Sequence, residues 1–215
     1  MEGVYIFLAD GFEDMEAIAT RDVLLRGGVD VQTVSINEDP FVTSSHGITV
    51  SVDLTRDDFN DDCPAVMIFP GGMPGSKNLA ADKALMALMR KCYNAGGVVA
   101  AICAAPGLVA AQLDDVAGKR FTCFDGFQDP MIAKGAVFTP ESAVVDGRLV
   151  TGRGAGHAVN FGLAILGLLK GEETVQRVKA GLMLYEAALS AAISTEKGRR
   201  PPTFFSLRCR DSNSN

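Results

Sequence analysis

Cys103 stands where a short apolar run ends, in GGVVAAICAAPGLVAAQL (residues 96–113), and Pro106 follows in a position suited to the first turn of a helix. Backbone N–H groups at a helix start, together with the positive end of the dipole, favour a thiolate and would lower the thiol pKa below the free value of about 8.5. Such a thiol is a nucleophile. The other reading is packing, since a buried unpaired cysteine also serves as a small apolar filler. The spacing leaves both open.

Two further turns offer groups that could work with it. FPGGMPGSKNL (69–79) also follows an apolar run and carries three glycines and two prolines, so its backbone N–H groups can approach a ligand closely. It lacks the Lys-Ser/Thr pair of a nucleotide phosphate loop, and an oxyanion hole beside a thiolate fits it better. An ordinary strand-to-helix turn would have the same composition. LADGFEDMEA (8–17) places Glu13, Asp14 and Glu16 at a helix start, where acidic residues ordinarily complement the dipole. A carboxyl held in a pocket beside a thiolate would instead have a raised pKa and could relay protons. The two histidines, His46 and His157, are remote from Cys103 in sequence. His157 follows GRGAG at a helix start, where capping competes with an approach to the site.

Positioning these turns requires a layered α/β fold. VYIFLA (4–9), VQTVSI (31–36), AVMIFP (65–70) and VVAAI (98–102) read as buried parallel strands. EDMEAIATRDVLLRGG (13–28) predicts a helix stopped by a glycine pair, and ADKALMALMRKCYNAGG (81–97) and HAVNFGLAILGLLKG (157–171) predict two more. Right-handed crossovers then give a doubly wound sheet whose reacting groups gather beyond the carboxyl ends of the strands. FTCFDGF (121–127) and GAVFTP (135–140) differ in character, and VVDGRLVT (144–151) predicts a hairpin about a DG turn.

A chain of 215 residues with 47% apolar content supports one sizeable core, expected here as a single α/β domain over 1–185. From 186 to 215 a short helical run gives way to Pro-Pro, several arginines and a polar end, and this tail is expected outside the core. A net charge of −6 leaves no broad basic field for nucleic acid or an anionic membrane. The N-terminus lacks the basic region of a signal peptide, and no run approaches the roughly 18 apolar residues of a membrane span. Five cysteines without CxxC pairing argue against a disulfide framework and a zinc knuckle, so no metal is expected and the reducing cytoplasm fits best.

Together LADGFEDMEA, DVLLRGG (22–28), FPGGMPGSKNL, AAICAAPGLVA (100–110) and VTGRGAGHAVNFGLAIL (150–166) resemble the ThiJ/PfpI superfamily, in the branch of the parkinsonism-associated protein deglycase and bacterial YajL, over residues 3–185. The resemblance implies a flavodoxin-like three-layer sandwich with a mainly parallel sheet, class I glutamine amidotransferase-like, forming a homodimer and using no cofactor. It puts the nucleophile on Cys103, its carboxyl partner on Glu16, the backbone donors on Gly72 and Ala104, and a dimer contact near the site on Arg26. Protease-like relatives have histidine where Ala104 stands, which points away from a protease triad. The deglycase branch often has histidine where Phe124 stands, and relatives commonly have Thr or Ser where His157 stands. The activity implied is a cysteine-dependent glyoxalase or protein deglycase acting on methylglyoxal and glyoxal or their early adducts, with Glu16 as proton relay. The alternative is an oxidative-stress sensor or holding chaperone in which Cys103 becomes a sulfinic acid. The family label of thiazole monophosphate biosynthesis finds no separate support in these residues.

Overall fold

The computed structural model describes residues 3–60 and 62–184. In chain order the strands are β1 (Val4–Leu8), β2 (Val31–Ser35), β3 (Phe41–Thr43), β4 (Thr49–Ser51), β5 (Val66–Phe69), β6 (Val98–Ile102), β7 (Arg120–Phe121), β8 (Val137–Phe138), β9 (Ala143–Asp146) and β10 (Leu149–Gly152). The helices are α1 (Asp14–Arg26), α2 (Gly75–Ala81), α3 (Lys83–Asn94), α4 (Ala105–Leu108), α5 (Asp129–Ala133), α6 (Ala158–Lys170) and α7 (Glu172–Gly181). The described residues up to Val178 form one compact unit. The expected tail over 186–215 lies outside the described residues.

The main sheet has the order β2-β1-β5-β6-β10-β9, parallel throughout except for β9. Val4 pairs with Val31 on one side and Val66 on the other, so the chain leaves β1 first one way and then the other. That reversal is the switch point of a flavodoxin-like sandwich, and it opens a crevice at the carboxyl ends of β1 and β5. Every residue of β5 is buried, as expected of a strand covered on both faces.

Helices cover both faces. Phe7, Met67, Phe69, Val99 and Ala101 pack with Leu79, Leu85, Met86 and Met89 of α2 and α3 in one apolar cluster. On the opposite face α1 and α6 pack on each other and on the sheet. Gly162 of α6 permits this contact, because a Cβ there would lie 3.0 Å from the Cβ of Val23. The stripe α1 buries is Glu16, Ala17, Thr20, Val23 and Leu24, while Met15, Ile18 and Leu25 stay exposed. Among the described residues no helix is long and apolar enough to cross a membrane.

Several details depart from the sequence reading. The helix expected over 81–97 forms as α3 but starts at Lys83, because Asp82 adopts an extended backbone that separates it from α2 and caps it by accepting from the N–H groups of Ala84 and Leu85. The VVDGRLVT hairpin forms as β9 and β10 and supplies the sheet edge. FTCFDGF and GAVFTP contribute a small parallel pair, β7 with β8. The β3–β4 hairpin was not anticipated. The Gly27–Gly28 pair ends α1 as expected, with Gly28 in the left-handed region at φ 73°.

Replacing Gly162 by leucine should force α1 away from α6 and lower stability by about 1–3 kcal/mol, the usual cost of overpacking a core. Urea denaturation checks this, and an unchanged midpoint would mean that the contact is not tight.

Candidate active site

Three strand ends meet at the crevice. Cys103 follows β6 with φ 64°, in the left-handed region that costs a non-glycine residue about 1–3 kcal/mol. Two backbone bonds hold the strained turn: Cys103 N–H donates to the Gly152 carbonyl at 3.0 Å, and the Cys103 carbonyl accepts from Phe124 N–H at 2.8 Å. The result is a sharp elbow that presents the half-buried thiol above the sheet.

Glu16 reaches the same point from the first turn of α1 and is 1% exposed. Its Oε2 accepts from Gly71 N–H at 2.7 Å. In return Glu13 N–H donates to the Gly71 carbonyl at 3.0 Å, and Glu13 Oε2 caps the helix by accepting from Glu16 N–H at 2.8 Å. The β5 turn and the start of α1 are thus clamped together around one carboxyl. Its other oxygen, Oε1, is buried without a nitrogen or oxygen partner among the described residues, and the polar group left to meet the carboxyl is the Cys103 thiol.

Gly71 is the residue the sequence reading missed. A Cβ on it would lie 2.5 Å from Glu16 Oε2, 2.6 Å from Cys103 Cβ and 3.1 Å from Cys103 Sγ, so the pair can meet only across a residue without a side chain. Gly72, the expected donor, has φ 89° and no room for a side chain, since a Cβ there would be 2.5 Å from the Gly11 carbonyl oxygen. The N–H groups of Gly72 and Ala104 both bond the Cys103 sulfur and favour its ionised form.

The electrostatics differ from the lowered thiol expected of a helix start. Burial, followed by the Glu16 charge and its hydrogen bond, pushes the Cys103 thiol up to about 12, against the pull of the Ala104 and Gly72 N–H groups. The helix dipole is weak because α4 is four residues long. Burial also raises the Glu16 carboxyl to about 7, a shift that the bonds from Gly71 and Cys103 oppose and the nearby Glu13 charge reinforces. The pair therefore titrates as a unit. While Glu16 is charged the thiol keeps its proton, and Glu16 is poised near neutrality to take that proton away.

The remaining expected residues are not brought to Cys103. Arg26 is at the far end of α1, about 15 Å along the axis from Glu16 at 1.5 Å per residue, and its Nε donates to Asp22 Oδ2 at 2.7 Å. His157 is exposed before α6, and its ring has no hydrogen-bond partner among the described residues. His46 instead pairs with Asp14, Nδ1 to Oδ2 at 2.6 Å, which raises the imidazole pKa. Glu13, Asp14 and His46 bring potential ligand atoms within 4.8 Å of one another, but the cap and the ion pair already engage these groups. No disulfide joins Cys63, Cys92, Cys103 or Cys123.

A doubly wound sheet with a cysteine elbow and a buried carboxyl at its switch point defines a class of α/β proteins organised about a strand-end thiol. Within that class the chain belongs to the DJ-1/PfpI family, which residues 2–168 match. It is similar to Protein DJ-1 homolog A of Arabidopsis thaliana, 34% identical over 84% of this chain and 46% of that protein, so the chain spans about half the length of that relative. It is 31% identical to Glutathione-independent glyoxalase DJR-1.2 of Caenorhabditis elegans over 80% of this chain and 90% of that protein. The crystal structure of Drosophila melanogaster DJ-1beta superposes with a TM-score of 0.78 at 32% identity, covering 86% of this chain and 98% of that one.

Because Glu16 binds its proton more tightly in the folded chain than at its ordinary 4.5, the stability this supplies is full below about 4.5 and is lost as pH rises through about 7. Glu16→Gln, which cannot ionise, should therefore lose less thermal stability than the wild type between pH 5 and pH 8. Parallel melting profiles for the two proteins would contradict the raised carboxyl.

Proposed function

We propose that the chain is a cysteine-dependent, cofactor-independent glyoxalase or deglycase acting on methylglyoxal and glyoxal, or on their early adducts with amines and thiols. The observation that carries this reading is the buried Glu16 carboxyl, raised to about 7 and facing the Cys103 thiol across Gly71. A general base works best with a pKa near the operating pH, and Glu16 meets that requirement. The glyoxalase name of the nematode relative supports the same choice.

The reaction is an internal redox exchange with water as the second reactant. As Cys103 Sγ bonds to the aldehyde carbon of methylglyoxal, Glu16 takes the thiol proton. The N–H groups of Gly72 and Ala104 stabilise the developing alkoxide, to which Glu16 returns that proton to complete the hemithioacetal. Glu16, again a carboxylate, then carries the proton of the former aldehyde carbon to the neighbouring carbonyl carbon while the hydroxyl proton passes to the neighbouring oxygen, so that the second carbon becomes the carbinol and the first a thioester. Water cleaves the thioester, releasing lactate and restoring the thiol. A thiol that stays protonated until substrate arrives suits this sequence, because the base is built in.

A second reading has one observation in its favour. The unpartnered Glu16 Oε1 could donate a proton to an oxygen carried by oxidised Cys103, making the elbow an oxidative sensor. In either role the chain acts as a homodimer in the cytoplasm, and the exposed stripe of Met15, Ile18 and Leu25 on α1 supports the dimer.

Purified protein with methylglyoxal and no glutathione should form lactate, Cys103→Ser should abolish this, and Glu16→Gln should lower kcat by about 10²–10⁴, the usual contribution of a general acid–base group. Glu16→Gln turning over like wild type would sink the mechanism. Absence of turnover with a stable gain of two oxygens on Cys103 would favour the sensor. For the dimer, Ile18→Glu should shift sedimentation to the monomer, and an unchanged species would move the interface off α1.

A further inference from the structure

Phe124 lies beside the elbow and has no part in the proton relay. It is 51% exposed, although its N–H is bonded to the Cys103 carbonyl at 2.8 Å. A single guanidinium fixes the chain on both sides of it. Arg153 Nη1 donates to the Cys123 carbonyl at 3.3 Å, and Arg153 Nη2 donates to Asp125 Oδ1 at 2.6 Å. The ring rests 6.4 Å from the Phe127 ring, and Gly154 makes room for it, since a Cβ there would come within 3.3 Å of Phe124 Cδ2. An aromatic ring is thereby held half in water on the loop that is bonded to the elbow, where an unanchored side chain would fold onto the surface to reduce its exposed area. From the β5 turn, Met73 directly follows Gly72, whose N–H bonds the sulfur, and it is 38% exposed.

We propose that Phe124 and Met73 form an apolar rim to Cys103 that selects 2-oxoaldehydes carrying an aryl or other bulky apolar substituent over glyoxal. The inference rests on the aldehyde chemistry of the preceding section. The inner side of the sulfur is filled by Gly71 and Glu16, so a substituent on the adduct carbon is left the outer side, where the rim stands. Forming the adduct is a redox-neutral addition. The S–C bond forms, the π bond of the aldehyde C=O opens, and the thiol proton ends on the new hydroxyl by way of Glu16. One aromatic face against an aryl substituent is worth about a three- to tenfold preference beyond the area it covers.

The test is protection of Cys103 from iodoacetamide by reversible adduct formation, which needs no turnover, measured with phenylglyoxal and with glyoxal. The quantity compared is the ratio of the two half-protecting concentrations, which cancels changes in the thiol itself. Phe124→Ala and Phe124→Leu should each reduce the preference for phenylglyoxal about three- to tenfold, and Phe124→Tyr, which keeps the ring, should restore it. Circular dichroism identifies any variant that fails to fold, and the other then decides. An unchanged ratio in the folded variants overturns the rim, as does protection by neither aldehyde. A ring-dependent ratio without hydroxy-acid formation upholds the rim and rejects the enzymatic reading alone.

Discussion

Removing a carboxyl from water penalises its charged form, and Glu16 is removed almost completely. One N–H bond from Gly71 does not compensate for that loss, so the carboxyl holds its proton up to about neutrality. The neighbouring thiol is placed under the opposite condition, because a second negative charge within the same closed space is unfavourable while Glu16 is ionised. One mobile proton between a buried carboxyl and a half-buried thiol is the constraint on which the rest of the site depends.

Keeping the two acids that close imposes demands on the backbone. Gly71 must lack a side chain, Gly72 must take a positive φ, and Cys103 must accept a left-handed conformation unusual for its residue type. The fold supports the strain by over-determining it. Gly152 at the end of β10 and Phe124 on the following loop bond the elbow from two directions, while Glu13 ties α1 to the β5 turn. The parallel sheet places all three strand ends at one level, and the close approach of α1 to α6 at Gly162 sets where Glu16 arrives.

The architecture was largely legible because its signals are local. Strands β1, β5 and β6 read as continuous apolar runs, and the DG hairpin carried its own turn chemistry. The family resemblance pointed to Cys103 and Glu16, which the fold brings together. What was not legible depends on three-dimensional direction. Which glycine of the PGG turn aims its N–H at the carboxyl follows from φ and ψ rather than residue type, and Gly71 was overlooked beside Gly72. The lowered thiol expected of a helix start failed because the helix stops at Leu108 and burial outweighs its dipole. The β3–β4 hairpin escaped because its strands have three residues each and Ser44 closes it without an Asn-Gly turn, through a backbone bond to Ile48 and a hydroxyl that accepts from its N–H.

The central claim is that the Glu16 charge, more than the helix start, governs ionisation of Cys103. The pH dependence of Cys103 alkylation in wild type and Glu16→Gln tests it directly. Removing the charge should move the midpoint of thiol ionisation to lower pH in the variant. A midpoint that stays in place or rises would contradict the account, because the two groups would then not share a proton.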